Sequence, residues 1–245
     1  MKERKMRRAF AVLMAFIIAV AWSFQSVPAE AASLPSDVEK LERYAEQLQR
    51  TMQSRPLFKP YALYNKTKKS YGGAKQRIER LKNGPAKRQY RKRLEKASET
   101  IRQASYYISA IESGERLIAL KSRIDQALSS GDVEVVYDVY PSFERQLRKT
   151  KTLIGRVHGS SIRKKMTETF QQPAEATKQR SFFPINIMFA FDQIIAAYEQ
   201  DDIEKVERLL VLCEQWMLRV KDENTKKELN RYLDEFKTPA ILDIQ

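Results

Sequence analysis

Fourteen Lys and Arg residues and a single acid, Glu79, lie between Arg55 and Arg93. Such a stretch is suited to one kind of chemistry, the holding of anions. Arg grips a carboxylate or phosphate through two parallel hydrogen bonds, whereas Lys acts as a point charge. One exposed ion pair contributes only ~0.2–1 kcal/mol. Useful affinity therefore needs a ligand that repeats its charge and engages several cations together. The candidate cations are Lys66, Lys68, Lys69, Lys75, Arg77, Arg80, Lys82, Lys87, Arg88, Arg91, Lys92 and Arg93. Tyr61 and Tyr106 are candidates to stack on a sugar face, whereas Tyr64, Tyr71 and Tyr90 fall on core positions. Ordinary surface helices interleave opposite charges at i,i+4. The scarcity of acids sets this stretch apart from a merely solvated face.

Other chemistry is thinly represented. His158, the one histidine, stands beside Gly159 and reads as a turn residue. Cys213, the one cysteine, lies on an apolar stripe and reads as a buried free thiol. There is no Cys/His cluster for zinc and no phosphate-cradling glycine loop. Asp201-Asp202 and Asp222-Glu223 sit where helices start, as capping acids do. A glycosidase needs two carboxylates facing each other across a cleft. The expectation is no catalytic residue, no cofactor and no metal.

The elements that must position these cations are helices. The 245 residues carry a net charge of +14 and only seven glycines, at a mean hydropathy of −0.56. Apolar residues nevertheless recur every three or four positions, which predicts an all-α fold. Ser36-Asp37 is expected to cap a first helix with Val38, Leu41, Ala45 and Leu48 on one face. Arg55-Pro56 to Lys59-Pro60 is a break. Tyr64, Thr67, Tyr71, Ala74, Ile78 and Leu81 form the next seam, and Asn83-Gly84-Pro85 stops and restarts the chain. Lys68, Lys75 and Lys82 are seven apart, on one stripe beside that seam.

Tyr90, Leu94, Ala97, Ile101, Ala104, Ile108 and Ile111 mark the clearest helix, which Ser113-Gly114 either ends or bends. Lys87 to Arg93 crowd its first turns, against the helix dipole. Later seams run through Val136 to Val157, Ile162 to Phe170, Ile187 to Tyr198, Ile203 to Val220 and Leu229 to Phe236. Pro141, Pro173 and Phe183-Pro184 are expected to kink or interrupt them. Gly159-Ser160-Ser161 is expected to close one helix and cap the next. Residues 127–134 and 197–204 form a weak repeat, which reads as recurrent turn chemistry between antiparallel helices.

Export is expected from the N-terminus. Lys2, Arg4, Lys5, Arg7 and Arg8 precede an uncharged run from Ala9 to Trp22, and Ala29-Glu30-Ala31 offers a signal-peptidase site. A spanning helix needs roughly 18 or more apolar residues. Residues 1–31 therefore read as a cleaved signal peptide, with no transmembrane segment after its removal. Residues 32–238 read as the helical region and 239–245 as an extended tail. On an exported chain the cationic stretch is not expected to meet nucleic acid.

Two segments carry a family resemblance. Tyr61-Ala-Leu-Tyr-Asn-Lys-Thr-Lys68 with Tyr71, and Leu147 through Arg163 with Met166 and Thr169-Phe170, resemble the N-terminal, cell-wall-attaching region of SbsC-type bacterial S-layer proteins. Asp202 to Glu207 fits the same pattern. The resemblance implies an elongated array of consecutive triple-helix bundles sharing long helices. It implies an anionic secondary cell wall polysaccharide as partner, and adds Arg156 and Arg163 to the candidate binding residues. His158 departs from the pattern, where an aromatic is expected, as does Pro141 within a helix expected to be unbroken. The resulting expectation is a secreted, non-enzymatic wall-binding protein. The alternative is a cell-surface helical scaffold that docks an acidic protein or anionic lipid.

Overall fold

The computed structural model describes residues 29–54 and 56–238, with side chains from Ser33 onward. Most of the expected signal peptide and all of the expected tail lie outside the described residues. Among the described residues the fold is helical and free of strands: α1 (Ala29–Gln53), α2 (Tyr61–Arg80), α3 (Pro85–Ser130), α4 (Val133–Arg156), α5 (Ser160–Met166), a π-helical turn (Thr167–Gln171), α6 (Gln172–Tyr198), α7 (Ile203–Met217) and α8 (Glu223–Lys237). The chain divides into two compact units. Among the described residues, one comprises 29–48 and 62–101, the other 49–54, 56–61 and 102–238.

In the first unit, three helical segments share one core. Leu34, Val38, Leu41 and Ala45 come from α1, Ala74 and Ile78 from α2, and Leu94 and Ala97 from α3. Tyr71, Leu81 and Tyr90 pack against it, as their seam positions predict. The first helix begins earlier than its expected Ser36-Asp37 cap and contains Pro35. Leu34, 2 % exposed, extends the apolar stripe by a turn, and its burial draws the preceding residues into the helix.

Helices of the second unit share further cores. One joins α3, α4 and α6 through Leu117, Leu128, Phe143 and Ile185. Another joins α6, α7 and α8 through Ile187, Ile194, Cys213 and Leu229. The repeated turns have the same geometry. Asp132 N–H donates to Ala127 O at 2.9 Å and Asp202 N–H to Ala197 O at 3.0 Å. Each Asp then caps the helix it opens, accepting from Val135 N–H (3.1 Å) and Lys205 N–H (3.0 Å). The residue before each Asp is left-handed, Gly131 at φ 84° and Asp201 at φ 57°.

None of the four expected interruptions ends its helical run. α3 continues through Ser113-Gly114 because both residues serve contacts between helices. Ser113 Oγ and Thr150 Oγ1 lie 2.9 Å apart, Gln146 donates to Ser113 O at 2.8 Å, and Phe170 covers Gly114. α4 runs unbroken through Pro141, which lies on its exposed face. Pro173 and Pro184 sit within one helical run from Ser160 to Tyr198. There the π turn, closed by Gln172 N–H on Thr167 O, widens the backbone just before Pro173, where a tight α-turn would press the proline ring against the carbonyl four residues back. Gly159, at φ 94°, is the N-cap of α5, and no side chain bonds there.

That run is the one described helix long and apolar enough to cross a membrane by length and composition. Ala174, Ile185, Ile187, Phe191 and Ile194 within it are buried and serve the cores, whereas Phe182, Phe189 and Ile195 are exposed. Cys213 is fully buried, and desolvation, followed by the neighbouring Glu214, pushes its thiol up to about 11. At pH 8 the native thiol is expected to resist a disulfide reagent and to react stoichiometrically once urea unfolds the chain. Rapid native labelling at Cys213 would contradict that burial.

Candidate functional site

The structure sorts the cations of the first unit into two groups. The first group is engaged by partners within the unit, although Arg91 stays exposed. Lys87 is only 8 % exposed. Its Nζ donates to Glu79 O at 2.8 Å and Leu81 O at 3.1 Å. This corrects the expectation that Lys87 belongs to an open surface. It satisfies carbonyls at the C-terminal end of α2, where a cation is favoured, which offsets its unfavourable place in the first turn of α3. Arg91 forks onto Glu79, with Nη2–Oε2 at 2.6 Å and Nε–Oε1 at 3.3 Å. Arg93 forks onto Glu42 at 2.8 and 2.6 Å. Arg77 donates to Ser33 Oγ at 2.8 Å and also pairs with Asp37. Glu79 is the stretch's own acid, and α1 supplies the other two partners, Asp37 and Glu42.

These pairs hold the carboxyls of Glu42 and Glu79 below the ordinary value of 4.5, first through the Arg93 and Arg91 hydrogen bonds respectively. A carboxylate whose pKa is depressed by folding contributes stability that is complete above its unfolded pKa and is lost as pH falls through the folded one. The melting temperature of the native chain should therefore decline as pH falls below 4.5. Glu42→Gln should flatten that decline while lowering the plateau at pH 7. An unchanged acid limb in the variant would count against the Arg93 pair.

The second group faces solvent. Lys68, Lys75 and Lys82 are all exposed; Lys68 and Lys75 keep their seven-residue spacing on α2, but α2 ends at Arg80 and leaves Lys82 in the turn beyond it, not on the expected helical stripe. Lys68 meets the ring of Tyr64 at 5.3 Å. Lys69, Lys75, Lys82, Arg88 and Lys92 are exposed and form no ion pair among the described residues. Arg80 is exposed as well. Lys66 lies 4.5 Å from the centre of the Tyr44 ring. It borders a groove of about 410 Å³ between α1 and α2, with Lys40, Tyr44, Lys69, Gly73 and Arg77 along its walls. Sequence reasoning missed Lys40 and Tyr44. Their place in α1, outside the cationic stretch, concealed them, although the spacing of the α1 core residues puts both off the seam.

The remaining candidates belong to the second unit. Tyr61 is 41 % exposed, but its hydroxyl donates to Glu112, beside a Lys59–Glu115 pair at 2.5 Å. That contact fixes the hydroxyl, while the ring expected to stack on a sugar stays exposed. Arg163 is half-buried and donates to Val157 O at 2.9 Å, clamping the α4–α5 turn. Arg156 is exposed in the last turn of α4, where the helix dipole favours a cation. Among the described residues no group of three His, Cys, Asp or Glu is placed to hold a metal ion.

Residues 45–175 match the SbsC C-terminal domain family, over more than half of the 245 residues. The chain belongs to that family. An S-layer protein of Geobacillus stearothermophilus is 22 % identical over 172 residues, covering 66 % of this chain and 14 % of that protein. The crystal structure of the N-terminal part of the bacterial S-layer protein SbsC superposes with a TM-score of 0.74 at 20 % identity, covering 83 % of this chain and 53 % of the other. That of the S-layer protein rSbsC(31-844) gives a TM-score of 0.72 at 20 % identity, covering 85 % of this chain and 31 % of the other. At such identity the superpositions establish a shared helical fold. This SbsC-family chain spans no more than about half the length of the relatives it matches.

Proposed function

We propose that this chain is a non-enzymatic cell-wall-binding protein that works outside the membrane, at the cell surface. It holds an anionic secondary cell wall polysaccharide through the first unit. The observation that carries the reading is the sorting of its cations. Lys87, Arg77, Arg91 and Arg93 stabilise the bundle, while Lys68, Lys69, Lys75, Lys82, Arg88 and Lys92 remain exposed without an acidic partner among the described residues. Each would contribute little alone, and a polymer with regularly spaced charge would add their contributions. The groove beside Lys66 and Lys69 and the exposed Arg156 are further places for the polymer to run.

Family membership and the S-layer relatives support both the wall as partner and the surface as location. The same likeness supports reading residues 32–238 as consecutive triple-helix bundles, and the basic start and apolar run of residues 1–31 support reading them as the export signal. The deciding experiment is co-sedimentation of the purified chain with wall sacculi, intact or chemically stripped of the secondary polymer. Pelleting should require the polymer and should weaken as salt rises, because the screening length shrinks from ~10 Å at 0.1 M to ~3 Å at 1 M. Equal pelleting with bare peptidoglycan would sink the proposal. Flotation with anionic liposomes but no pelleting would transfer the cationic face to a lipid-docking scaffold.

A further inference from the structure

Gly73 weakens its helix without serving the fold. It lies inside α2, away from both ends, where glycine is destabilising relative to alanine. Its backbone is not left-handed, and a Cβ built there meets nothing within 4 Å. Packing therefore does not exclude a side chain at this position. What the missing side chain leaves is bare backbone on the wall of the α1–α2 groove of about 410 Å³.

The groove is built by two regular helix faces. Lys66, Lys69, Ser70, Gly73 and Arg77 recur at three- and four-residue steps along α2, and Asp37, Lys40 and Tyr44 do so along α1. Its volume falls in the range of small-ligand clefts, roughly 300–1,000 Å³. Lys40, Lys66 and Lys69 form no ion pair among the described residues. Lys66 is nevertheless held in place, with its Nζ 4.5 Å from the centre of the Tyr44 ring, whose face attracts a cation. Arg77 is engaged by Asp37, and that carboxylate has further lone pairs with which to accept from a hydroxyl. The Ser70 hydroxyl can donate or accept. A bare anion would use the lysines alone, whereas a carboxylate, a hydroxyl and an uncovered backbone wall suit a ligand with a ring and hydroxyls of its own.

We propose that this groove is a subsite for one acidic sugar ring. The ring lies along the bare backbone at Gly73, its anionic group meets Lys66 and Lys69, and its hydroxyls bond Asp37 and Ser70. This assignment rests on the polymer reading for its ligand class, and adds that the groove selects the ring as well as the charge.

The test is a titration of the full chain with glucuronate, glucose-6-phosphate, glucose, acetate and inorganic phosphate, followed by amide chemical shifts. Glucuronate or glucose-6-phosphate should bind, the tighter of the two identifying the acid, with shifts centred on Ser70 and Gly73. Glucose lacks the charge, and acetate and phosphate lack the ring. Each should bind at least about tenfold more weakly than that sugar. Gly73→Ala should raise the melting temperature yet weaken binding about fivefold, because its methyl takes space the ring needs. Gly72→Ala, off the groove, should raise the melting temperature and leave affinity unchanged. A variant with Lys68, Lys75, Lys82, Arg88 and Lys92 all changed to Gln should bind the sugar normally, since none of them lines the groove. Acetate or phosphate binding as tightly as the acidic sugars, or unchanged affinity in Gly73→Ala, would overturn the proposal. Sacculus pelleting without sugar binding would overturn the groove and leave the polymer reading standing. Sugar binding without polymer-dependent pelleting would do the reverse.

Discussion

A chain carrying Lys68→Gln, Lys75→Gln, Lys82→Gln, Arg88→Gln and Lys92→Gln is expected to lose sacculus binding while keeping its helical signal and melting temperature. At ~0.2–1 kcal/mol per exposed contact, five losses amount to about 3 kcal/mol, or more than a hundredfold in affinity. The fold should tolerate them because these side chains are exposed and make no ion pair among the described residues. Arg93→Gln is the opposite case. It leaves the exposed cations intact but strands Glu42, to which Arg93 donates at 2.8 and 2.6 Å. That variant should melt lower and still sediment with walls at a temperature where it is folded. Co-sedimentation and thermal melts on the two variants separate binding from stability. If the fivefold variant pellets like wild type, the polymer lies elsewhere.

Gly114→Ala should destabilise the second unit by about 1–3 kcal/mol, the usual cost of overpacking. A Cβ at Gly114 would lie 2.4 Å from Phe170 Cγ and 2.5 and 2.7 Å from the adjoining ring carbons. Those atoms belong to the root of a ring that is 6 % exposed, in the π turn. The ring cannot swing aside as the tip of a flexible chain could. Ala ordinarily gains about 1 kcal/mol over Gly in a helix interior, so a net loss would measure the clash. Gly155→Ala is the control. Nothing lies within 4 Å of its added Cβ on the exposed face of α4, and it should stabilise the protein by roughly 0.5–1 kcal/mol. Urea midpoints for the two variants should move in opposite directions. If both rose, the close approach of Phe170 to α3 would be refuted.

The seams were legible because a helix buries every third or fourth residue whatever its partner. Thr67, Ala74 and Ile78 in α2, and Leu94, Ala97 and Ala104 in α3, are buried as their spacing predicts. The turn chemistry was equally local, since Asp132 and Asp202 each cap the helix that follows them. Gly114 and Pro173 were misread for the converse reason. Local rules make them breakers, but packing against Phe170 and a single widened turn outweigh those rules. The density of positive charge between Arg55 and Arg93 is likewise a property of the sequence.

By itself, then, the sequence determined that this is a helical protein with a concentrated cationic segment, and where most of its turns fall. Only the tertiary structure decided which cations are available. Arg77 and Asp37 are 40 positions apart, and Arg93 and Glu42 are 51, so no reading along one helix could pair them. Packing α1 against α2 and α3 brings those carboxylates within reach. A guanidinium then gains more from a forked, partly desolvated carboxylate than from water, and it leaves the surface to its unpaired neighbours.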